Sequence, residues 1–324
     1  MTGDRNLVLI TPNVEYNVHL RNKYTILLGN GASGKTAFRD FMLETTSIQS
    51  VYDEDSNLES DFDRIVFVDS DLDLEVALGL DNTLCIIDED FSYSVRKHLE
   101  GIRKSNNFFL IISREVQINL SYGIYDVIEF RTESLGNGKY RTFSCPYAEF
   151  TQSVIDPDLC IIEDSSSGYN SYKNTLNVKC VSAKSKTRVP KLVSKNLNKT
   201  LLVIIDEVGF GYEFYIIYRK LLESDINTVY FWCPCSFEYI LLNSGLFQKF
   251  NNNIDNPYSS CDFSRYSTVE VFIEKYLTSV LKDIGYEYSK SSNVFNIKGM
   301  SILNVYLRNF DNFENLLRDK YKEV

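Results

Sequence analysis

The amino-acid sequence predicts an α/β protein in which a doubly wound sheet is followed by a second α/β domain with a helical C-terminal tail. Short apolar runs, typical of buried parallel strands, alternate with stretches of helical periodicity. Several of these runs end in glycine-rich or acidic turns, where strands deliver functional groups to one edge of a sheet. The length of 324 residues and the hydrophobic content of 44% are sufficient for two cores.

The first half is organised around a predicted buried strand, Tyr24–Leu28, that runs into a glycine-rich loop and then a predicted helix over residues 35–46. The loop has the P-loop spacing G-x-x-x-x-G-K-T. Glycines allow backbone N–H groups to surround phosphate oxygens, the lysine reaches the β- and γ-phosphates, and the threonine hydroxyl contacts Mg²⁺. The pattern therefore predicts that ATP and Mg²⁺ bind at Gly29, Asn30, Gly31, Ala32, Ser33, Gly34, Lys35 and Thr36.

A second apolar run, residues 84–87, ends in Asp88 and Glu89, which is the pattern of a Walker B strand. A central parallel strand would place Asp88 beside the P-loop as a Mg²⁺ ligand, and Glu89 one residue further on to orient the attacking water. Asp69 follows a similar strand and is the alternative to Asp88.

A further buried strand is predicted over residues 107–112 and ends in Ser113 and Arg114. Ser113 is predicted to contact the nucleotide as a polar sensor of the γ-phosphate. Arg114 has two interpretations, a second sensor or a surface helix cap. The rest of this half is predicted to contain strands at 7–11, 13–21 and 64–69, a solvated acidic loop at 52–63, and a hairpin of 125–131 with 139–143 around Gly136–Gly138.

The paired entry strands and the segment Thr25–Thr36 resemble the small ABC-like ATPases linked to the overcoming-lysogenization-defect proteins, over about residues 5–130. The chain differs from that family in having no LSGGQ-type signature and no long arm between the P-loop and Asp88. The resemblance implies an ATPase domain, assigned to residues 1–150. The two differences from the family argue against its usual head-to-head dimer and favour slow hydrolysis or nucleotide binding used as a switch.

The second half begins near residue 151 and repeats the strand-and-turn pattern. The apolar runs predict strands at 159–162, 178–182, 201–205 and 229–232. The intervening segments predict helices at 169–176, after Pro190, at 212–223 and at 236–242. Acidic residues follow the first and third of these strands, at Glu163 and Asp206.

Residues 162–168, 180–186, 205–211 and 236–239 together resemble the Toprim-like modules that are fused to or paired with ATPases in bacterial defence systems and mobile elements. The resemblance implies a Toprim-like domain at 151–250 in which Glu163 and Asp206 bind Mg²⁺ and act with Glu238 in cleaving nucleic acid. Carboxylates at one sheet edge are suitable Mg²⁺ ligands. The family's Asp-x-Asp would place an acid where this chain has Val208, and Asp164, Glu207 and Glu238 are the alternatives for completing the site.

The segment 173–199 is basic within an acidic chain. The net charge is −10, yet no acidic residue occurs between Asp164 and Asp206. This local excess of positive charge predicts contact with a phosphate backbone, principally through Lys184, Lys186 and Arg188. The other interpretation is a solvated helix face.

Residues 251–324 are predicted to be a mainly helical C-terminal extension, with a polar loop at 251–266, an amphipathic helix at 269–284 and a charged helix at 309–322. The apolar stripe of the amphipathic helix predicts packing on the body of the protein, on a protein partner or on a second copy in a homo-oligomer.

No apolar run approaches transmembrane length, and the seven cysteines show no C-x-x-C spacing. These observations predict a cytoplasmic protein with reduced cysteines and no membrane contact. Two functions are compatible with the sequence. One is an ATPase whose Toprim-like module performs or regulates metal-dependent nuclease activity in antiviral defence. The other is a nucleotide-gated sensor or scaffold with a degenerate Toprim-like module that acts through a protein partner.

Overall fold

In a computed structural model the chain is an α/β protein, as the sequence predicts, and divides into two compact units. The first unit comprises residues 1–147 and 256–269, and the second comprises 148–255 and 270–324. The structure describes residues 2–29, 34–47, 58–92, 94–116, 120–148, 150–152, 155–224, 226–243, 254–283, 288 and 319–321.

The first unit is built on a mixed sheet of nine described strands. Their spatial order, in chain numbering, is β4-β1-β2-β9-β8-β3-β7-β6-β5. The strands are β1 (Arg5–Ile10), β2 (Val14–Leu20), β3 (Tyr24–Leu28), β4 (Leu58–Ser60), β5 (Arg64–Val68), β6 (Thr83–Ile87), β7 (Phe108–Ser113), β8 (Val127–Gly136) and β9 (Lys139–Pro146).

The middle of this sheet positions the candidate nucleotide site. Strands β3, β7, β6 and β5 run parallel, so their carboxyl ends lie at one edge. All side chains of β3, β6 and β7 are buried, which explains why these strands are continuous apolar runs in the sequence. Strands β8 and β9 form the predicted antiparallel hairpin, with a register shift next to Gly136.

The second unit contains a sheet with the spatial order β10-β15-β14-β13-β11-β12. Strands β12, β11, β13 and β14 are parallel, and β15 pairs antiparallel with both β10 and β14. The strands are β10 (Phe150–Gln152), β11 (Leu159–Ile162), β12 (Cys180–Ser182), β13 (Leu201–Ile204), β14 (Val229–Trp232) and β15 (Asp319–Tyr321).

The helices, in chain order, are α1 (Lys35–Ser47), α2 (Asp71–Leu78), α3 (Leu99–Lys104), α4 (Ser167–Thr175), α5 (Val189–Lys195), α6 (Gly211–Glu223), α7 (Phe237–Asn243), α8 (Pro257–Ser260) and α9 (Val269–Asp283). Helix α1, which follows the P-loop, is held by aromatic packing. The Phe38 ring lies 5.4 Å from the Tyr16 ring and 5.2 Å from the Phe130 ring. This packing fixes the start of α1 against the sheet.

Three local predictions are wrong. Residues 58–60 form β4, which pairs with β1, although the segment 52–63 is predicted to be a solvated loop; residues 52–57 lie outside the described part. Residues 257–260 form α8 within the predicted polar loop. Residues 319–321 form β15 and not the end of a helix, and the remainder of that predicted helix, 309–318 and 322, is not among the described residues.

The sequence also predicts that the protein has no membrane contact and that its cysteines are reduced. Within the described residues, no helix has the length and apolar character needed to cross a membrane. All seven cysteines are described, and each is a free thiol.

Candidate functional site

The P-loop links β3 to α1 at the carboxyl edge of the first sheet. Gly29 follows β3 directly, and Gly34 precedes α1 with φ of 80°, a left-handed conformation that glycine adopts without a steric penalty. Thr36 is exposed in the first turn of α1. The predicted nucleotide contacts Asn30, Gly31, Ala32 and Ser33 lie outside the described residues.

Lys35 is buried, and its side chain reaches back to Gly29. Its Nζ donates a hydrogen bond to the carbonyl oxygen of Gly29. Burial lowers the pKa of Lys35, while nearby Glu89 raises it and nearby Arg114 lowers it. The lysine therefore lies within electrostatic range of both side chains, although they belong to distant parts of the sequence.

Asp88 follows β6 and is only 7% exposed. Its Oδ1 atom makes no hydrogen bond among the described residues, and an Nη atom of Arg39 lies 3.9 Å away. A buried carboxylate oxygen without a hydrogen bond is costly unless a cation binds it. Asp88 and the exposed hydroxyl of Thr36 therefore suit the Mg²⁺ that accompanies a nucleotide in P-loop sites.

Asp69, the alternative acid, lies at the same sheet edge. Its backbone follows β5, and its pKa is raised by desolvation, by a hydrogen bond with Asp73, and by the charges of Asp73 and Asp88. The structure thus brings Asp69 and Asp88 into the same electrostatic environment. Only Asp88 is buried.

Glu89 forms an ion pair with Arg114, whose side chain is 81% exposed. Ser113 precedes Arg114 and is buried at the end of β7. The Ser113 hydroxyl donates to the Glu115 carbonyl oxygen at 2.6 Å and accepts from the Glu115 N–H at 3.1 Å. Ser113 therefore shapes the turn that presents Arg114, and Arg114 has the exposed cationic group.

In the second unit, the parallel strands β11 and β13 are neighbours, and each is followed by an acid. The N–H group of Asp206 donates to Oε2 of Glu163 at 3.4 Å, so the structure brings these two predicted metal ligands together. The Oδ1 atom of Asp206 also accepts from the Phe237 N–H at 3.1 Å, at the start of α7. Asp206 thereby stabilises the amino end of that helix.

Asp164 holds the turn that leads into α4. Its carboxylate accepts hydrogen bonds from the backbone N–H groups of Ser165 at 2.5 Å, Ser166 at 3.0 Å and Gly168 at 2.8 Å. A Cβ atom on residue 168 would collide with this carboxylate, which explains the glycine there. Both carboxylate oxygens of Asp164 are therefore used in a local structural role.

Glu238 lies in the first turn of α7, is 3% exposed, and accepts a hydrogen bond from the Tyr288 hydroxyl. Burial, followed by the charge of Glu238, raises the pKa of Tyr288. Tyr172 is close to the same acids: burial raises its pKa well above the ordinary value, and Asp206, Asp164 and Glu238 add to the effect. Tyr172, Tyr288 and Glu238 are thus buried, and both tyrosines lie within electrostatic range of Glu238 and Asp164.

In the part of the chain that the structure describes, neither unit contains a group of three or more His, Cys, Asp or Glu side chains arranged to hold a metal ion. Asp164, Asp206 and Glu238 accept hydrogen bonds from protein groups, and the position of the missing acid is the buried Val208.

The predicted phosphate-binding residues occupy the connection between β12 and α5. Lys184, Lys186 and Arg188 are all exposed. The Nζ atom of Lys186 donates to the Gly209 carbonyl oxygen at 2.9 Å, in the turn after Asp206. Because β12 and β11 are parallel neighbours, this connection begins at the same sheet edge as Glu163.

The sequence alone did not identify the ion pair of Glu89 with Arg114, the approach of Arg39 to Asp88, or the Tyr288 bond to Glu238. The spacing of Lys35 and Arg39, four residues apart on one helix, is a usable signal that both side chains face the same edge. For Tyr288, no local pattern indicates the contact.

No protein-family profile matches this chain, and no curated protein matches it. A functional conclusion therefore depends on the sequence motifs and on the geometry of these two sheet edges.

Proposed function

We propose that the first unit binds and hydrolyses ATP with Mg²⁺. The observation that carries the proposal is that Lys35, at the start of the helix after the P-loop, and the acids Asp88 and Glu89 lie at one sheet edge. The P-loop follows β3, the two acids follow β6, and the parallel strand β7 lies between these two strands. A loop of backbone N–H groups and a buried lysine suit a polyphosphate, and acids in this position suit its metal and the attacking water.

In this mechanism Lys35 exchanges its bond to the Gly29 carbonyl for the β- and γ-phosphates. Asp88 and Thr36 would hold Mg²⁺, which neutralises developing phosphate charge when it is bound. Glu89 orients the water for attack on the γ-phosphate. Phosphate positioning by Lys35 and water positioning by Glu89 are separate roles, so their loss has separate kinetic signatures.

Replacing Lys35 with alanine is expected to weaken ATP binding about tenfold, because a charge-assisted hydrogen bond to phosphate is lost. Titration with a fluorescent ATP analogue measures the dissociation constant. Lys104→Ala is the matched control, since Lys104 is an exposed lysine of α3 paired with Glu100. Equal affinity of Lys35→Ala and the parent protein would contradict the proposed nucleotide site.

For the second unit, we propose binding of nucleic acid without metal chemistry. This proposal takes the degenerate Toprim-like module from the sensor or scaffold alternative and the phosphate contact from the nuclease alternative. The supporting observation is that a connection beginning at the same sheet edge as Glu163 contains the exposed residues Lys184, Lys186 and Arg188. Glu163 and Asp206, the acids at that edge, accept hydrogen bonds from backbone N–H groups. Exposed cations attract phosphates, but an incomplete donor set does not activate water.

The triple variant Lys184→Ala, Lys186→Ala, Arg188→Ala is expected to bind nucleic acid about tenfold more weakly. The slope of log affinity against log salt should become shallower by roughly one unit for each lost phosphate contact. Fluorescence anisotropy with a labelled oligonucleotide, at several salt concentrations and with or without ATP, gives both quantities.

The matched control for this experiment is the triple variant Arg96→Ala, Lys97→Ala, Lys104→Ala, which removes the same charge from exposed positions of the first unit. An unchanged salt slope in the 184–188 variant would contradict the proposed interface. The alternative, a metal-dependent nuclease, predicts plasmid nicking with Mn²⁺ that is lost in Glu163→Ala and in Asp206→Ala. Nicking with that dependence would replace the scaffold proposal.

A further inference from the structure

The ion pair between Glu89 and Arg114 has no role in the mechanism above. It joins the residue that orients water to the most exposed cation of the nucleotide site. We propose that Arg114 distinguishes nucleoside triphosphate from nucleoside diphosphate, and that Glu89 holds Arg114 until a γ-phosphate is present. This inference rests on the proposed ATP site and adds a specificity-determining residue to it.

The backbone places Arg114 beside the P-loop. Ser113 is the register partner of Leu28, the last residue of β3, and Gly29 comes next. Arg114 therefore emerges at the level of Gly29, where the P-loop begins. The turn bonds between Ser113 and Glu115 fix the backbone on both sides of Arg114, while its side chain is 81% exposed.

Electrostatics support the exchange of partners. The carboxylate of Glu89 pairs with Arg114, and these residues follow the neighbouring parallel strands β6 and β7, at the edge where Gly29 follows β3. A γ-phosphate carries more negative charge than one carboxylate and presents oxygens that suit the guanidinium fork. Exposed ion pairs contribute little free energy, so Arg114 can leave Glu89 at small cost.

The exchange couples recognition to chemistry. With no nucleotide or with ADP, no γ-phosphate competes for Arg114, and Glu89 stays paired. With ATP, Arg114 moves to the γ-phosphate and Glu89 is released to orient the water. The same contact thus favours ATP over ADP and makes the Glu89 carboxylate available only when a hydrolysable phosphate is bound.

The test is a double-mutant cycle on nucleotide affinity, with ADP and a non-hydrolysable imido analogue of ATP as probes. Arg114→Ala should weaken the ATP analogue about tenfold and change ADP affinity less than about twofold. Glu89→Ala should tighten the ATP analogue by about threefold, because Arg114 no longer has a competing partner. In the Arg114→Ala background, Glu89→Ala should have no such effect.

Arg114→Lys retains the charge without the planar fork and should recover part of the discrimination. Arg219→Ala and Glu223→Ala are matched controls, because they break an exposed Arg–Glu pair on α6 in the second unit. Equal weakening of both nucleotides by Arg114→Ala would overturn the inference, as would tightening by Glu89→Ala in the absence of Arg114. If nucleotide binding is also independent of Lys35, the proposed ATP site itself is wrong.

Discussion

Replacing Glu89 with glutamine is expected to slow ATP hydrolysis by about 100-fold while ATP remains bound. Glutamine retains the size of the side chain but cannot accept a proton or attract one from water as the carboxylate does, and general-base groups contribute at least this much. Lys35 and Asp88 are unchanged, so ATP binding is retained. Single-turnover phosphate release measures the rate, and retention of labelled ATP on the protein measures binding.

The matched control is Asp90→Asn, a charge removal at the exposed neighbouring acid. It should leave the rate within about twofold, because surface substitutions away from the chemistry have small effects. An unchanged rate in Glu89→Gln would show that another acid orients the water. Asp69 would then be the first candidate, because it lies at the same sheet edge and its pKa already responds to Asp88.

The central strands could be predicted from the sequence because burial on both faces makes them continuous apolar runs. Thr83–Ile87 and Phe108–Ser113 follow this rule, and both strands are confirmed. Amphipathic helices could also be predicted from the sequence: the apolar stripe that begins at Val269 corresponds to α9. In these segments local periodicity and tertiary burial give the same answer.

Short strands that depend on pairing with distant segments were not predictable in this way. Residues 58–60 have no fully buried side chain, and their extended conformation comes from pairing with β1, more than forty residues earlier, since Leu7 is opposite Ser60 and Leu9 is opposite Leu58. Residues 319–321 are held by β10 and β14 in the same manner. Strand formation at such positions is decided by the partner strand and not by the segment itself.

The candidate sites also contain features that the sequence predicts and contacts that only the structure shows. The order of P-loop and acids could be identified locally, because each chemical group follows its own strand. Pairwise contacts could not: the structure shows that Asp164 binds three backbone N–H groups and that Glu89 pairs with Arg114. A carboxylate in sequence can be a ligand, a helix cap or an ion-pair partner, and only the geometry distinguishes these roles.

The remaining prediction concerns Lys23, which precedes β3 and is 1% exposed. Its Nζ donates to two carbonyl oxygens at the end of α3, those of Arg103 at 3.1 Å and Ser105 at 2.5 Å. Burial lowers the pKa of Lys23 from 10.5 to about 8, and the thiol of Cys85 acts weakly in the opposite direction. Burial therefore disfavours the protonated, charged form of Lys23 relative to its neutral form.

The sign of the pH effect follows from proton binding. Below the folded pKa, folded and unfolded chains both carry the proton on Lys23, so its contribution is constant and least favourable. Between the folded pKa of about 8 and the unfolded value of 10.5, the unfolded chain binds a proton that the folded chain does not. The free energy of unfolding must therefore rise with pH across that window through this group.

We expect the parent protein to gain about 2 kcal/mol in free energy of unfolding, relative to Lys23→Met, between about pH 7.5 and about pH 9.5. Urea unfolding followed by circular dichroism measures this difference. Cys85→Ala in both proteins removes the neighbouring thiol, whose raised pKa of about 12 has the opposite effect on stability. Lys104→Met, at an exposed lysine of α3, should retain the parent pH profile. If the free energies of unfolding of Lys23→Met and of the parent change in parallel with pH, Lys23 does not titrate in this window. Its buried amine then stays protonated.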